Sequence, residues 1–420
     1  MKREIELLKE RYIKPLKKNP ELLIGIELEF PIVNLTGSAT DEVVCKDLLA
    51  YLGDEQEFSV EKRDVLGNPI QLIHKESQDQ ILFEVAYTTL EFAFSPVSSL
   101  QEVEERFEAY MRSIQPFLQA RGHEIQGWGI HPQWQSNSNQ PVQSPRYQML
   151  MAYLDLAPQV NSSRLHDFPQ YGAFICGSQV QLDVSHENYL QVLNAFNQIE
   201  AAKAYLFPNS TFSGADWDTK IARDRFWEES MHGFYQENCG LYPQDFRAEE
   251  DFLAYLDKTA LFTAEREGET VYFFPILAKD YLQKESILAW NVAGEQKLIH
   301  PLEEDFQHHR AYHYQSLTTR GTVEFRSVCT QPLNRTFAPA AFHLGLLVNL
   351  EKLEIYLQTA PFFEQYGRDY PALRRQFSRK YLSAEEEQAI RDFSQDLLSL
   401  AEEGLKQRGG GEERHLDFWK

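Results

Sequence analysis

The segment GIELEF, Gly25–Phe30, alternates apolar and acidic residues, a pattern that fits a strand with one buried face. Neighbouring side chains of a strand point to opposite faces, so the apolar residues share one face and Glu27 and Glu29 share the other. Two such residues span about 6.5 to 7 Å, which lets each carboxylate bind a different cation in a multi-metal site. The alternative is an edge strand whose polar face is solvated.

Two further segments repeat this alternation. In GTVEFRSV, Glu324 and Arg326 lie opposite their apolar neighbours, and in GSQVQLDV the residues Gln179, Gln181 and Asp183 do the same. Three strands thus carry polar groups with oxygen ligands on one face. This recurrence favours a shared polar surface over three unrelated edge strands.

The segment ILFEVAYTTLEFAFSP contains two more glutamates. Glu84 and Glu91 are seven residues apart, an odd separation that places them on opposite faces of one regular strand. Both reach the same surface only if a bulge or break interrupts the strand near Tyr87–Thr89. The hypothesis of a shared acidic site therefore requires an interruption there.

If these strands are neighbours, five carboxylates converge, and they cannot all stay ionised without compensation. The five are Glu27, Glu29, Glu84, Glu91 and Glu324. Oxygen ligands without a Cys or His cluster select Mg²⁺ or Mn²⁺ over zinc, and protein-bound Mg²⁺ typically also binds substrate phosphates. This points to ATP as a ligand. Arg326 would then stabilise charge on a transferred phosphoryl group, with a salt bridge to a neighbouring carboxylate as the alternative.

Length, charge and cysteine content limit the class of protein. The 420 residues suit one large α+β domain or two smaller ones, and 43% apolar residues support a substantial core. A net charge of −22 disfavours nucleic acid as a partner. No signal peptide or membrane span is evident, which predicts a cytoplasmic protein. The four cysteines lack C-x-x-C spacing, which predicts reduced, mostly buried thiols.

Helical and strand patterns alternate irregularly, which predicts an α+β fold with a mixed, largely antiparallel sheet. Helices are predicted at residues 1–18, 99–121, 187–206, 337–357 and 383–407. Strands are predicted at residues 22–33, 81–94, 123–130, 173–184, 270–276 and 321–328. No G-x-G-x-x-G or Walker A motif is present, and Gly409–Gly411 follow a helix, as in a C-terminal turn rather than a phosphate loop.

Taken in order, these segments resemble the glutamate-cysteine ligase family, the ATP-dependent enzymes that make γ-glutamylcysteine, and in particular its plant and bacterial branch. GIELEF resembles the family's first-strand G-x-E-x-E segment, and LEFAF resembles its following acidic strand. GIHPQW resembles the segment before an R-Y motif, here Arg146 and Tyr147. GSQVQLDVS, FSGADWDTKIARDRFW, VEFRSV and EEGLKQRGGGEE resemble the later segments. The resemblance runs from about residue 22 to about residue 413.

The resemblance implies one catalytic domain over residues 1–420, with a core at about 22–413. It implies a fold related to glutamine synthetase, in which a curved antiparallel sheet forms a funnel and helices pack outside. It also implies Mg²⁺ held by a set of oxygen ligands, Glu27, Glu29, Glu84, Glu91, Glu324 and Gln179. ATP would convert the γ-carboxylate of glutamate into a γ-glutamyl phosphate, which the α-amine of cysteine opens in the first step of glutathione synthesis.

Several residues are implied as substrate contacts. Arg223 and Arg225, in the R-x-R-x-W segment that ends at Trp227, would hold the α-carboxylate of glutamate, a role suited to a bidentate guanidinium. A surface cation patch with an aromatic anchor is the alternative. Arg146 and Tyr147 are candidates for substrate or nucleotide contact, with packing at a helix N-terminus as the alternative.

Other functions remain open at this point. Nothing in the sequence fixes cysteine as the amine, so a ligase for glutamate and a different amine is one alternative. A metal-dependent phosphohydrolase with the same acidic cleft is a second, and an inactive binding protein of the same fold is a third. HGFYQENCG pairs His232 with Cys239, but no third member of a catalytic triad is identifiable. The oligomeric state is not predicted.

Overall fold

The computed structural model describes residues 2–55, 57–160 and 162–419, and its main feature is an open sheet of nine strands. The order is β14-β15-β7-β1-β5-β4-β3-β2, and β6 pairs with the C-terminal part of β1. All pairs within this sheet are antiparallel. Its strands are β1 (Ile24–Asn34), β2 (Phe58–Arg63), β3 (Pro69–His74), β4 (Gln80–Phe83), β5 (Thr89–Val97), β6 (His123–Ile125), β7 (Ser178–Asp183), β14 (Gln315–Leu317) and β15 (Thr322–Phe325).

Two smaller sheets accompany it. The first has the order β12-β11-β10-β9, and the second is a parallel pair of two-residue strands. Their strands are β8 (Cys239–Gly240), β9 (Ala260–Arg266), β10 (Glu269–Leu277), β11 (Ile287–Trp290), β12 (Gln296–Ile299) and β13 (Tyr312–His313). The strand predicted at 270–276 is β10, whereas the hairpins around it were not predicted.

Helices account for much of the remaining chain. They are α1 (Arg3–Tyr12), α2 (Glu42–Asp54), α3 (Leu100–Gln119), α4 (Pro145–Leu154), α5 (Tyr189–Gln198), α6 (Glu200–Leu206), α7 (Ala222–Glu228), α8 (Glu249–Leu256), α9 (Ala278–Tyr281), α10 (Ala338–Val348), α11 (Leu350–Thr359), α12 (Pro361–Tyr366), α13 (Tyr370–Phe377) and α14 (Ala384–Arg408). No helix in the described ranges is both long and apolar enough to cross a membrane. The prediction of an α+β fold with a mainly antiparallel sheet is confirmed.

The apolar face of the large sheet packs against helices. Phe30 of β1 and Phe92 of β5 contact Phe107 of α3, with ring centroids 5.7 and 5.2 Å apart. At the other end of the sheet, Phe325 of β15 contacts Phe196 of α5 at 4.5 Å. Burial of these aromatic rings fixes which face of each strand points to the core. The opposite face, which carries the glutamates, is left for the site.

The long predicted helices differ in how well they agree with the structure. α3 begins where the Ser99 side chain accepts a hydrogen bond from the Glu102 N–H, and α14 begins with the predicted capping box at Ser383. Two other predicted helices are each broken into two, α5 and α6 at residue 199 and α10 and α11 at residue 349. The predicted strand at 123–130 is only the three residues of β6. Gly409 ends α14 with a φ of +72°, which confirms a turn there.

Candidate active site

Acidic and amide side chains line one face of four neighbouring strands of the large sheet, β15, β7, β1 and β5. Directly opposite residues of an antiparallel pair point to the same face. Glu29 of β1 is opposite Glu91 of β5, and Glu27 of β1 is opposite Gln179 of β7. On the next strand, Glu324 of β15 is opposite Gln181 of β7. The strands predicted to share an acidic surface are therefore neighbours, and we call this surface the acidic face (Glu27, Glu29, Glu91, Gln179, Gln181 and Glu324).

Glu84 joins the acidic face through a turn. The prediction of one strand over 81–94 is wrong, because β4 ends at Phe83 and β5 begins at Thr89. Between them the Glu84 N–H donates to the Thr89 carbonyl at 3.1 Å, and Val85 has a φ of +57°. This hairpin supplies the interruption that the spacing of Glu84 and Glu91 required. The charge of Glu84 disfavours ionisation of Glu91.

Burial and mutual repulsion keep protons on the acidic face. Burial raises the pKa of Glu29 to about 7, although the nearby charge of Arg223 opposes the shift. Burial and the charge of Glu324 raise the pKa of Glu27 to about 7. Burial, then the charges of Glu84, Glu27 and Glu29, raises the pKa of Glu91 well above its usual range. The protein's own cations thus leave part of this negative charge uncompensated.

The two glutamines of β7 differ in what their oxygens do. Gln181 Nε2 donates to Glu27 and Glu324 at 3.1 and 3.0 Å, and its Oε1 accepts from Arg320 at 2.6 Å. Gln179 Nε2 donates to Glu29 Oε1 at 3.1 Å, but its buried Oε1 has no hydrogen-bond partner. A buried amide oxygen that accepts no hydrogen bond and lies among carboxylates can serve as a ligand for a hard cation.

The oxygen-rich face fits a divalent cation in its chemistry, although its side chains do not form a complete site by themselves. Among the residues that the structure describes, no group of three or more His, Cys, Asp or Glu side chains is arranged to hold a metal ion. Hard cations such as Mg²⁺ commonly complete their coordination with water and substrate phosphates. The face would therefore hold such an ion together with a bound phosphate chain.

Arg326 lies at the end of β15 beside the acidic face. Its Nη1 donates to Glu324 Oε2 at 2.7 Å, and its guanidinium carbon is 5.7 Å from the ring centroids of both Trp227 and Tyr312. Burial alone would lower the pKa of Arg326, but the charges of Glu324 and Glu27 outweigh it and keep that pKa above its ordinary value. The predicted common face of Glu324 and Arg326 is confirmed, and so is the salt bridge weighed as an alternative role.

Arg223 is buried beneath the same region. Its Nη1 donates to the carbonyls of Val328 and Arg326 at 3.1 and 3.4 Å, and its Nε has no partner. A Cβ at Gly177 would lie 2.4 Å from Arg223 Nη2, so a side chain at this position would force the guanidinium to shift. The Gly177 N–H in turn donates to Glu29 Oε2 at 2.6 Å. Arg223 is thus held in place with hydrogen-bonding capacity left over.

Arg225 is not brought to the same place. Its guanidinium donates to both carboxylate oxygens of Glu229, at 2.8 and 2.7 Å, and lies 4.6 Å from the Trp217 ring. Its side chain is 40% exposed. Residues two apart on a helix point about 200° apart, which is why α7 turns Arg223 inward and Arg225 outward. The structure therefore matches the surface-cation alternative for Arg225.

Arg146 and Tyr147 lie in the first turn of α4, near Glu84. The Tyr147 hydroxyl donates to Glu84 Oε2 at 2.6 Å. Arg146 is exposed and stacks on Tyr147 at 5.3 Å, and its guanidinium has no ion pair or hydrogen bond with a described residue. Burial opposes a rise in the pKa of Arg146, but the nearby Tyr147, Glu84 and Glu91 raise it. Arg146 thus lies near Glu84 and Glu91 as a cation that no described residue pairs with.

A cavity of about 80 Å³ opens between these groups. Six of the predicted residues line it, namely Glu29, Glu84, Gln179, Arg223, Trp227 and Arg326. The rest of the wall is aliphatic or aromatic, formed by Val85, Leu150, Leu154, Tyr171, Gly172 and Ile175, together with His232. The lining therefore combines charged side chains with aliphatic and aromatic surface.

His232 is the site residue that sequence reasoning missed. The motif HGFYQENCG drew attention to it, but as a partner for Cys239, which is buried in β8 and does not line the cavity. All four cysteines are free and buried, as predicted. His232 reaches the cavity because Trp227, Tyr312 and Tyr153 surround its ring, with centroids 5.0, 4.4 and 5.6 Å away. These contacts join distant parts of the chain.

Comparison with known proteins gives one family. The sequence model of the family described as "Glutamate-cysteine ligase family 2 (GCS2)" matches residues 23–418. A chloroplastic glutamate-cysteine ligase of Brassica juncea is 22% identical over 332 residues, which are 76% of this chain and 59% of that protein. Glutamate-cysteine ligase A of Oryza sativa subsp. indica, also chloroplastic, is 21% identical over 397 residues, 92% of this chain and 75% of that protein. This chain thus spans less than two thirds of the length of the Brassica juncea relative.

Among solved structures, a glutamate-cysteine ligase from Francisella tularensis in complex with AMP is similar at a TM-score of 0.45 and 12% identity. The similarity covers 96% of this chain and 82% of that one.

Proposed function

The chain belongs to the glutamate-cysteine ligase family 2, and we propose that it is an ATP-dependent ligase that joins the γ-carboxylate of L-glutamate to the amine of L-cysteine. The observation that carries this proposal is the acidic face, where Glu27 and Glu29 keep raised pKa values beside the unpartnered Oε1 of Gln179. Such a face needs cations from outside the chain, and Mg²⁺ carried with ATP meets that need.

The reaction has two balanced steps. A γ-carboxylate oxygen of glutamate forms a bond to the γ-phosphorus of ATP, and the bond to the β-phosphate oxygen breaks to release ADP. The amine nitrogen of cysteine then bonds to the γ-carbonyl carbon, the C–O bond to phosphate breaks, and the amine loses a proton. The product is γ-glutamylcysteine with ADP and phosphate. ATP hydrolysis thereby drives the formation of the amide bond.

Mg²⁺, or Mn²⁺ in its place, would neutralise the phosphate charge when bound, held by Glu27, Glu29, Glu84, Glu91, Glu324 and Gln179 Oε1. The carboxylates are arranged across β15, β7, β1 and β5, so the sheet fixes their spacing. Their protons must leave before they can bind a cation, which makes binding dependent on pH.

Cationic side chains would hold the anionic parts of the substrates. Arg326 lies where it can stabilise the charge that develops on the transferred phosphoryl group. Arg223, with Trp227 beside it in the cavity wall, is the candidate to bind the α-carboxylate of glutamate. Arg146, which stacks on Tyr147, is the candidate contact for nucleotide or product phosphate. Arg225 is left out of this set because its guanidinium is bound to Glu229.

A coupled assay of ADP release tests the proposal. Purified protein is given ATP, Mg²⁺ and glutamate with L-cysteine or with other amines, and we expect ADP release that requires both amino acids. Glu27→Gln and Glu324→Gln are expected to lose this activity at least about a hundredfold. Glu304→Gln, at an exposed position, is the matched control and should keep it.

The rival functions give different results in the same assay. Turnover with an amine other than cysteine keeps the ligase class and changes the substrate. Phosphate release from ATP without any amino acid identifies a phosphohydrolase. ATP binding without turnover under all conditions identifies a binding protein. Full activity of the Glu27→Gln and Glu324→Gln variants would show that the site residues are assigned wrongly.

A further inference from the structure

His232 lines the cavity and has one buried ring nitrogen without a hydrogen-bond partner among the described residues. The side chain is 2% exposed, and its Nδ1 lies 2.7 Å from the Tyr171 hydroxyl. Its Nε2 has no hydrogen-bond partner. Buried polar atoms are normally paired, and the cavity wall is where a partner for this one could bind. None of the roles proposed above uses His232.

The surrounding hydrogen bonds indicate which nitrogen carries the proton. Ser230 Oγ donates its single proton to the Trp227 carbonyl at 2.9 Å, so toward the Tyr171 hydroxyl, 3.1 Å away, it can only accept. If Tyr171 donates to Ser230, then His232 Nδ1 carries a proton and donates it to Tyr171. Every donor in this set of hydrogen bonds is then used, and the lone pair of Nε2 is left without a donor. The opposite arrangement would bury an unpaired N–H, which is rarer than an unpaired acceptor.

The charge around His232 decides which donor its Nε2 can accept from. Burial, together with the charges of Arg326 and Arg310, lowers the pKa of His232 to about 3. The imidazole is therefore neutral near pH 7. The same two arginines repel a positively charged donor such as an ammonium group. A neutral donor, such as a thiol or a hydroxyl, has no such penalty.

The cavity lining also includes aliphatic surface. Val85, Leu150, Leu154 and Ile175 supply it, while carboxylates and two arginines supply the charged groups. The charged groups suit glutamate and the phosphates of ATP. An amino acid that approaches as the amine would then have its own side chain left for the aliphatic surface.

We propose that His232 is a specificity-determining residue for the amine substrate, a role that rests on the proposed ligase function. Nε2 accepts a hydrogen bond from a neutral donor at the end of a short side chain, while the aliphatic wall surrounds the rest of that side chain. Cysteine and serine have such a donor. L-2-aminobutyrate has a methyl group of similar size in the same place and has none.

The test compares kcat/KM for L-cysteine and for L-2-aminobutyrate in the ADP-release assay. The wild-type protein should prefer cysteine by about five- to tenfold, the value of one neutral hydrogen bond. His232→Phe keeps an aromatic ring without the acceptor and should lower this preference to about one, with the KM for glutamate and for ATP unchanged. His232→Gln retains an acceptor oxygen and should restore part of the preference.

Each other outcome contradicts the inference in a distinguishable way. A folded His232→Phe protein that keeps the wild-type preference, or that loses affinity for glutamate instead, overturns the assignment of His232. If the Phe variant does not fold, equal kcat/KM values of the wild-type protein for the two amines overturn it. A wild-type protein that releases no ADP with any amine overturns the proposed function, and the role of His232 with it.

Discussion

Two of the regions that bury carboxylates treat the charge in opposite ways. In the ionic cluster of Glu200, Lys203, Asp224 and Arg374, each carboxylate is paired with a cation. Lys203 Nζ lies 2.5 Å from Glu200 Oε1, and Arg374 donates to both oxygens of Asp224 at 2.7 and 3.0 Å. On the acidic face, by contrast, the carboxylates lie mostly against one another.

The difference separates a structural role from a binding role. Arg374 also donates to the Ser327 carbonyl at 3.1 Å, next to Arg326, and Asp224 follows Arg223 in α7. The ionic cluster therefore supports the two site arginines from behind while its own charges are satisfied. The acidic face has raised pKa values at Glu27, Glu29 and Glu91 because burial and neighbouring carboxylates outweigh the nearby arginines. Unpaired buried charge is typical of a functional site.

The largest expected effect comes from unpairing the ionic cluster. Arg374→Met leaves Glu200 and Asp224 short of their cation and should lower the free energy of unfolding by about 3 to 5 kcal/mol. Chemical denaturation followed by circular dichroism measures this change. Arg375→Met, at the exposed next position, is the matched control and should change it by less than about 0.5 kcal/mol. Equal effects of the two substitutions on the free energy of unfolding would contradict a stabilising role of the ionic cluster.

Neutralising the acidic face should have the opposite sign. Glu29→Gln removes a carboxylate whose ionisation is unfavourable, because its folded pKa is about 7. We expect the unfolding free energy at pH 8, without Mg²⁺ or nucleotide, to rise by about 1 to 3 kcal/mol, while turnover falls at least about a hundredfold. Denaturation curves and the ADP assay measure the two effects on the same preparation. A less stable Glu29→Gln protein would remove the contrast between the two regions.

The pH dependence of stability sharpens the same point. Folding raises the pKa of Glu27 and Glu29 from about 4.5 to about 7, so between these values the folded state binds more protons than the unfolded state. Stability therefore falls as the pH rises from 5 to 8, by about 1 to 2 kcal/mol for each of the two groups. The Glu27→Gln/Glu29→Gln double variant should show a flatter profile over this range. An unchanged slope would mean that neither group keeps its proton in the folded protein.

The smallest effect is expected at Arg225, which is charged but outside both regions. Its exposed pair with Glu229 is an i,i+4 contact, so Arg225→Gln should change the unfolding free energy by less than about 0.5 kcal/mol. The KM for glutamate should change less than about twofold. In the same assay Arg223→Lys should raise that KM about tenfold or more, because it loses bidentate binding. A large KM effect at Arg225 would restore the role that the sequence suggested.

The acidic face could be predicted because it depends on local alternation. The period of two in GIELEF and VEFRSV places each glutamate on a definite face, and the apolar neighbours fix which face is buried. The sequence predicted that Glu84 would reach the acidic face only if the strand was interrupted near Tyr87–Thr89. It did not predict the turn itself, because a turn between two short strands hardly changes the hydrophobic periodicity. The residue with a positive φ in that turn is Val85 rather than a glycine, so no residue typical of such a turn marks it in the sequence.

Features that depend on contacts between distant segments could not be read from the sequence. Arg223 and Arg225 look equivalent until the segment is known to be a helix, which turns them to opposite sides. His232 lies at the cavity because Tyr171 and Tyr312, 61 and 80 positions away, pack around it. Neither residue 199 nor residue 349 is a Pro or a Gly, so the sequence did not indicate that the two long predicted helices are interrupted there.

The most direct test of the central claim is proton release on binding preformed Mg²⁺ complexed with a non-hydrolysable ATP analogue. Isothermal titration calorimetry at pH 7 is carried out in two buffers of different ionisation enthalpy. The difference between the two observed binding enthalpies gives the number of protons released. Glu27 and Glu29 each hold about half a proton at that pH, so about one proton or more per chain should be released, and the Glu27→Gln/Glu29→Gln variant should release fewer. Tight binding without proton release by the wild-type protein would contradict the claim that a cation replaces protons on the acidic face.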